Sequence, residues 1–519
     1  MNKPLRKRID WFITLVPFIC IVILCIIFMT RPKESTEVLG NIRSFLGEQF
    51  GSYYLIIGLG IFFVTLYMAF SKYGNIRLGG EKPLYSNFKW GTMMFTAGLA
   101  ADILFYSLCE WMLYANEPHL KAMGSVQDWA STYPLFHWGP IPWAFYMALA
   151  VPFAFMLHVR KRSKQKYSEA CRPLLGKWTD SWPGRLIDLI AVFALIAGTA
   201  TTFSLATPLL SQALATVFGL TPSVGLTIMI LIIICIIYTI CAYFGIAGVS
   251  WMAAFCTYVF FGLLAYILFL GGMPRYIIET GLTAIGNVVQ NFIGLSTWTD
   301  ALRTSSFPQN WTIFYWAYWM VWCVATPFFI GSISKGRTIR QTVLGGYAFG
   351  LTGTWTSFIV LGNFGLGLQM HGKLDLLSIY AKNGSLYEAI IAMLKSLPGY
   401  KFVLILLAVS MIAFYATTFD SLAIVAADYS YKQMLPDEEP HRYLKVFWSI
   451  LLILLPIALL FSKNSMTNLQ TVSIIAAFPV GIIMILIIRS FFKDAGKYLK
   501  EKSGEPDLSS KEAVPEKTQ

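Results

Sequence analysis

Apolar stretches recur along almost the whole chain, at residues 12–30, 53–71, 90–115, 136–157, 186–216, 224–246, 252–272, 310–331, 342–368, 402–426, 445–462 and 471–489. A helix needs about 20 mostly apolar residues to cross a bilayer. The pattern therefore predicts an all-α polytopic membrane protein with twelve transmembrane helices. Two connecting segments carry helical periodicity of their own. Residues 276–293 read as a helix lying at the outer interface, and residues 384–396 place Leu386, Ile390, Ile391 and Leu394 on one face. From about residue 493 the chain mixes Lys and Glu and then becomes rich in Ser, Glu and Pro, which predicts a solvated, disordered tail over 493–519.

The stretch 307–340 departs from the usual pattern. Spanning helices keep their aromatics near the interfaces. Here Trp311, Tyr315, Trp316, Tyr318, Trp319 and Trp322 run through the middle, before the basic run Lys335, Arg337 and Arg340. Trp316, Trp319 and Trp322 are spaced by three and fall near one helical face. Indole faces at membrane depth suit an organic cation.

Composition narrows the class. Of 519 residues, 56% are hydrophobic and 13% charged, and mean hydropathy is +0.61. Soluble domains carry about 25% charged residues. The net charge of +13 would suggest nucleic acid in a soluble protein; here it sits in short loops and sets topology. With the N-terminus inside, the loop 158–185 carries Arg160, Lys161, Arg162, Lys164, Lys166, Arg172, Lys177 and Arg185, whereas 217–223 has no Lys or Arg. Both termini are expected to be cytoplasmic in the cell membrane. The start of the chain, with Lys3, Arg6, Lys7 and Arg8, reads as a first helix rather than a cleaved leader. Cysteines such as Cys20, Cys25, Cys235, Cys241 and Cys256 lie in apolar segments without metal or disulfide spacing.

Polar residues inside spans mark candidate chemistry. Thr96–Trp111 holds the small residues Ala97, Gly98, Ala100 and Ala101, which allow tight packing or a helix break. It also holds Asp102 and Glu110, eight apart and near one face. Each carboxylate is either a proton or cation site or a structural hydrogen-bond acceptor; Glu110 fits the structural reading better. Phe136–Tyr146 opens a helix at Pro140 and Pro142 and carries Trp138, Trp143 and Tyr146. Phe414–Ala423 crowds Thr417, Thr418, Asp420 and Ser421, oxygen ligands suited to sodium or hydroxyls bonded within their own helix. Thr199–Gln212 is hydroxyl-rich around Pro208, which bends a helix. A membrane-bound enzyme is disfavoured: five histidines form no metal constellation, and there is no nucleophile with a base at useful spacing and no phosphate-binding glycine loop.

FPQNWTIFYWAYWMVW at 307–322, ISKGRT at 333–338, Met93–Phe95 and FHWGPIPWAFY at 136–146 resemble the betaine/carnitine/choline transporter family, over about residues 10 to 490. SLATPL at 204–209 and FHWGP are most similar to its carnitine/γ-butyrobetaine antiporter branch. The resemblance implies two inverted five-helix repeats of LeuT type, at 90–272 and 310–492. Before them would come a cytoplasmic N-terminus at 1–11 and two peripheral helices at 12–89, and between them an external loop at 273–309. It implies a homotrimer, no cofactor, and sodium or a proton as coupling ion. A trimethylammonium substrate would lie among Trp138, Trp143, Tyr146 and Trp319, with Tyr318 beside them, Trp322 on the access path and Tyr114 at a position used by the carnitine branch. Thr417 and Thr418 match the hydroxyl pair of sodium-coupled members, with Phe414 nearby and Thr96 and Leu99 on the facing helix.

Four positions depart from the nearest branches. Tyr318 stands where the motif usually has Trp. Cys256 stands where the sodium-independent carnitine branch has Arg, and Thr326 where it has Met. Asp102 stands where sodium-coupled betaine carriers have Gly and proton-coupled choline carriers have Asp. A fixed anion favours choline-like cations over zwitterions. The expected function is secondary active transport of carnitine, γ-butyrobetaine, glycine betaine or choline by alternating access. Symport and antiport both stay open, as do an osmotically regulated compatible-solute symporter gated by its tail and a proton-coupled choline carrier.

Overall fold

A computed structural model describes residues 5–162, 164–244, 248–433, 438–461 and 466–503; the side chains of 241, 242, 244, 248–254, 256, 417, 420, 461, 467 and 468 lie outside that description. The described residues are helical with no strand, only the isolated bridges Ile9–Tyr431 and Arg77–Thr338. In chain order the main helices are α1 (Trp11–Thr30), α2 (Pro32–Gln49), α3 (Gly51–Phe70), α4 (Asn87–Thr96), α5 (Ala101–Ala115), α6 (Val126–His137), α7 (Pro140–Ala154) and α8 (Trp182–Phe218). There follow α9 (Val224–Phe244), α10 (Gly248–Leu270), α11 (Pro274–Thr297), α12 (Ile313–Trp322), α13 (Thr326–Ile333), α14 (Ile339–Ser357), α15 (Asn363–Met370), α16 (Leu386–Lys395), α17 (Tyr400–Tyr429), α18 (Arg442–Phe461) and α19 (Met466–Ser503). Among the described residues, seven helices are long and apolar enough to cross a membrane, or ten if each bent pair is one span. The protein is a multi-pass membrane protein.

Three bends shape the interior. α4 and α5 meet at 61°, α12 (with the turn before it) and α13 at 56°, and the last part of α10 and α11 at 111°. The first break falls in the run of small residues, where Ala100 is fully extended (φ −143°, ψ 174°); the alternative of mere tight packing does not hold there. The second falls at Cys323–Ala325, just before Pro327, which suits the first turn of α13. The 111° bend turns α11 across the bundle, where it packs on α6.

α5 and α12 are buried almost along their length, and α7 from Ile141 to Ala154. A helix apolar on every side belongs in the middle of a bundle. α8 and α19 lie against one another, and α12 packs on α7, α8 and α19. α19 continues to Ser503, so residues 493–503 of the expected tail are helical, a correction to the sequence reading; Asp494 and Glu501 pair with Arg160, and Tyr498 packs on Phe155, which ties that part of the helix to the protein. Residues 504–519 of that tail lie outside the described residues.

Candidate functional site

The α6–α7 junction positions the first wall of the site. Gly139 separates the helices and Pro140 starts the second, so Trp138, Trp143 and Tyr146 face inward from two directions. α12 brings Trp319 into their midst. Its ring centroid lies 5.6 Å from that of Trp138, 5.9 Å from Trp143 and 4.7 Å from Tyr146. These are tilted and edge contacts, the favoured geometry of aromatic pairs. Trp143 is gripped by two glycines: a Cβ on Gly98 would sit 2.7 Å from its ring and one on Gly350 2.5 Å. Gly98 belongs to the first helix break, so the break lets the backbone come down on the indole.

Tyr318 lies beside this cluster, 6.5 Å from Trp138 between ring centroids. Its hydroxyl donates to Asp102 Oδ2, and it also meets the hydroxyl of Thr202 on α8. Asp102 Oδ1 accepts from the N–H of Ile103 at 3.0 Å. The carboxyl is thus tied to the first turn of α5 and buried next to the aromatic box. Tyr318, with a hydroxyl where an indole would have none to offer at that point, is the side-chain donor to Asp102.

The other candidates are distributed as follows. Trp322 ends α12, half-buried against Gly198 of α8. Its N–H, like those of Trp143 and Trp319, is buried without a hydrogen-bond partner among the described residues. Trp316 points the opposite way, onto Gly58 of α3. Tyr114 is not brought to the box; its ring lies 5.4 Å from Trp311 and 5.9 Å from Tyr133, near the far end of α5. Thr96 spends its hydroxyl on the carbonyls of Thr92 and Met93. Leu99 is buried within the break, and Phe414 is buried 5.6 Å from Phe260. Thr418 is half-buried. Thr417 and Asp420, and Cys256 in α10, lie outside the described side chains.

Residues missed by the sequence reading complete the walls. Tyr106 lies 5.6 Å from Trp138 and 6.4 Å from Tyr318. Phe358, in a π turn over Phe358–Gly362, lies 5.2 Å from Trp138. Tyr106 is four residues from both Asp102 and Glu110, and that spacing was a usable signal. Phe358 had none, because a π turn shifts the register of its helix. Glu110 accepts from Trp138 Nε1 at 2.7 Å and from the Tyr114 hydroxyl at 2.6 Å.

A cavity of about 360 Å³ lies between Leu113, Glu117, Trp311 and Gln470, toward the end of α5. Glu117 accepts from Trp311 Nε1 at 2.7 Å. Burial raises the Glu117 carboxyl above its ordinary range, against the pull of that N–H. The chemistry on offer is recognition of a cation by ring faces, with two buried carboxyls bonded to the surrounding rings, Asp102 through Tyr318 and Glu110 through Trp138; no group of three or more potential metal ligands exists among the described residues.

A family model described as BCCT, betaine/carnitine/choline family transporter, matches residues 12–500. The chain is also 27% identical over 443 residues to the uncharacterized transporter YeaV of Escherichia coli (strain K12), covering 85% of this chain and 91% of that protein.

Proposed function

This chain belongs to the betaine/carnitine/choline transporter family; it is a membrane transporter rather than an enzyme, and from that premise we propose that it carries a trimethylammonium cation by alternating access, with choline-like compounds favoured over zwitterions. The observation that carries the reading is Asp102, buried at the edge of the aromatic box and joined to it through Tyr318. A quaternary ammonium donates no strong hydrogen bond, so ring faces hold it, each contributing roughly 0.5–2 kcal/mol. The carboxylate adds attraction for the cation and repels a substrate carboxylate. The unpartnered N–H groups of Trp143, Trp319 and Trp322 suit a substrate hydroxyl oxygen.

Several finer features belong to the same proposal. The bends in the third and eighth predicted spans, five spans apart, fit two inverted five-helix repeats over 90–272 and 310–492. Twelve spans, cytoplasmic termini in the cell membrane, and a homotrimer follow the family. Coupling is by proton at Asp102 or by exchange. Sodium held by Thr96, Leu99, Phe414, Thr417 and Thr418 is the alternative; the Thr96 hydroxyl donates to backbone carbonyls and keeps its lone pairs available to a cation.

Uptake of labelled choline, carnitine, γ-butyrobetaine and glycine betaine into vesicles tests the reading, with sodium, proton gradient and internal substrate varied separately. Choline uptake driven without sodium is expected. Sodium-dependent transport of betaine alone would overturn it.

One observation favours a second reading, osmotic regulation through the tail. Arg160 and Arg162, in the loop after α7, bind Asp494 of α19 at 2.8 and 2.9 Å, and Arg160 also binds Glu501 at 2.9 Å. Partly exposed ion pairs weaken with salt. Removal of residues 494–519 should then abolish any dependence of uptake on osmolality; an unchanged response rules the tail out as sensor.

A further inference from the structure

Glu110 has a chain of partners that the carrier reading does not use. Its Oε2 holds the indole N–H of Trp138 at 2.7 Å, and its Oε1 holds the hydroxyl of Tyr114 at 2.6 Å. Tyr114 Oη lies 2.8 Å from His137 Nδ1, and His137 Nε2 lies 3.0 Å from the hydroxyl of Thr312. Glu110 and His137 are completely buried, and Thr312 nearly so. Among the described residues His137 is the one cation-capable side chain within ion-pair range of Glu110, at 3.6 Å.

The Trp138 N–H always donates to Glu110; every other hydrogen bond in this chain, from Glu110 through Tyr114 and His137 to Thr312, can run in either direction. With Glu110 ionised, Tyr114 donates to Oε1, His137 Nδ1–H donates to Tyr114, and Thr312 donates to Nε2. With one proton added on Oε1, Glu110 donates to Tyr114, Tyr114 to His137 Nδ1, and Nε2–H to Thr312. The first arrangement carries a net charge of minus one and the second none. No polar atom loses its partner in either. A bare buried carboxylate is costly, and so is a buried imidazolium–carboxylate pair. The neutral, proton-loaded chain avoids both. Trp138 is bonded to Glu110 and walls the box, so the charge of the chain is felt by a bound cation.

We propose that Glu110, Tyr114 and His137 form a proton-binding site, with the proton on Glu110, whose occupancy opposes binding of a cation beside Trp138. The proposal rests on the carrier reading for its cation but not for its proton. A bound trimethylammonium restores the charge balance that the proton otherwise provides, so the cation expels the proton and the proton expels the cation. Other titratable groups face the site: Asp102, Tyr106 and Cys109 on α5, Tyr133 on α6 with His119 bonded to its hydroxyl, and Tyr315 and Tyr318 on α12. Asp102 also abuts the box, so its contribution has to be removed in the test.

The test uses the full-length protein in lipid nanodiscs. Choline, carnitine and glycine betaine binding is read by tryptophan fluorescence from acid to mildly alkaline pH, in wild type, Asp102→Asn, and Asp102→Asn with Glu110→Gln. Affinity in Asp102→Asn should still strengthen with pH, by up to about tenfold per pH unit, the ceiling for one displaced proton. Adding Glu110→Gln should flatten the slope at the weak, acid-pH value. A slope that survives Glu110→Gln overturns the proposal. Infrared titration of wild type grown with isotope-labelled glutamate needs neither ligand nor variant. A protonated glutamate carboxyl band should fade as pH rises and on adding choline; a band that never appears also overturns the proposal. Wild type that binds none of the three compounds refutes the carrier reading, and the ligand-free infrared titration still decides the proton site.

Discussion

Trp319 is the residue on which the aromatic box turns, and Trp316 beside it on the same helix is its natural control. The rings of Trp138, Trp143 and Tyr146 all lie within 5.9 Å of Trp319 between centroids. Replacing Trp319 by Leu removes a ring face from a cation and keeps an apolar side chain in the gap. A cation–ring contact is worth roughly 0.5 kcal/mol when wet and about 2 kcal/mol when dry. At about 1.4 kcal/mol per factor of ten, Kd rises about 2- to 30-fold. The upper end applies here, because Trp319 is 3% exposed. Trp316 is as deeply buried but packs on Gly58 of α3, where a Cβ would lie 2.9 Å from its ring. Trp316→Leu should lower the thermal midpoint without changing Kd. Binding of labelled choline to both purified variants, with thermal unfolding alongside, separates the cases. The assignment fails if Trp319→Leu binds within about twofold of wild type, less than one exposed cation–ring contact, or if Trp316→Leu loses as much affinity.

Three further outcomes are expected. Gly350→Ala drives a methyl into Trp143, 2.5 Å from the built Cβ; overpacking costs about 1–3 kcal/mol, so thermal stability and uptake should fall together, and a normal midpoint would mean that Trp143 is free to move. Asp102→Asn should flatten the pH dependence of uptake at its acid end and raise the relative uptake of carboxylate-bearing substrates; an unchanged profile and selectivity would make Asp102 purely structural. Asp300 should stabilise the segment after α11 in a pH-dependent way. Burial alone would raise its carboxyl, but donors from Ser305, Ser306 and Thr304 hold it well below the usual carboxylate range. Its contribution is therefore complete above the unfolded carboxylate value of about 4 and lost as pH falls toward the lower folded one; thermal midpoints of wild type and Asp300→Asn should differ at neutral pH by an amount equivalent to about 1–3 kcal/mol and converge in acid.

Length carried the helices, because an apolar run long enough to cross a bilayer reports residence in lipid; it does not report burial, since α1 is the most apolar of the spanning helices and the least buried. Among the described residues each of the twelve predicted stretches overlaps a helix, while seven helices, or ten counting each bent pair as one, are long and apolar enough to cross a membrane. Trp138, Trp143, Tyr146 and Trp319 could be named because their motifs are long and their residue types rare at that depth. The breaks were harder to see. Small residues at Ala97–Ala101 serve close packing as readily as a kink, and the break at Cys323–Ala325 offered only Pro327 as a sign. The Tyr318 hydroxyl on Asp102, the Trp138 N–H on Glu110 and Gly350 against Trp143 join residues 216, 28 and 207 positions apart in the chain. No local pattern encodes such pairs. The extension of α19 to Ser503 was missed because it is held by Arg160 and Arg162, more than 300 positions away in the chain, on Asp494 and Glu501.

The break between α4 and α5 also has an electrical meaning. A helix ends in a fractional negative charge and begins with a fractional positive one, each about half an elementary charge. Here the end of α4 and the start of α5 meet, so the two nearly cancel, and the same holds where α12 gives way to α13. Neither pair of helix ends by itself favours a cation or an anion. At the first break Asp102 adds a whole negative charge, which outweighs the positive end on which it sits; the second, from Cys323 to Ala325, has no ionisable group except a thiol. The interior is therefore polarised toward one of its two interruptions. On the proposed reading, an arriving cation would meet the first interruption as its electrostatic anchor and the second as a neutral partner.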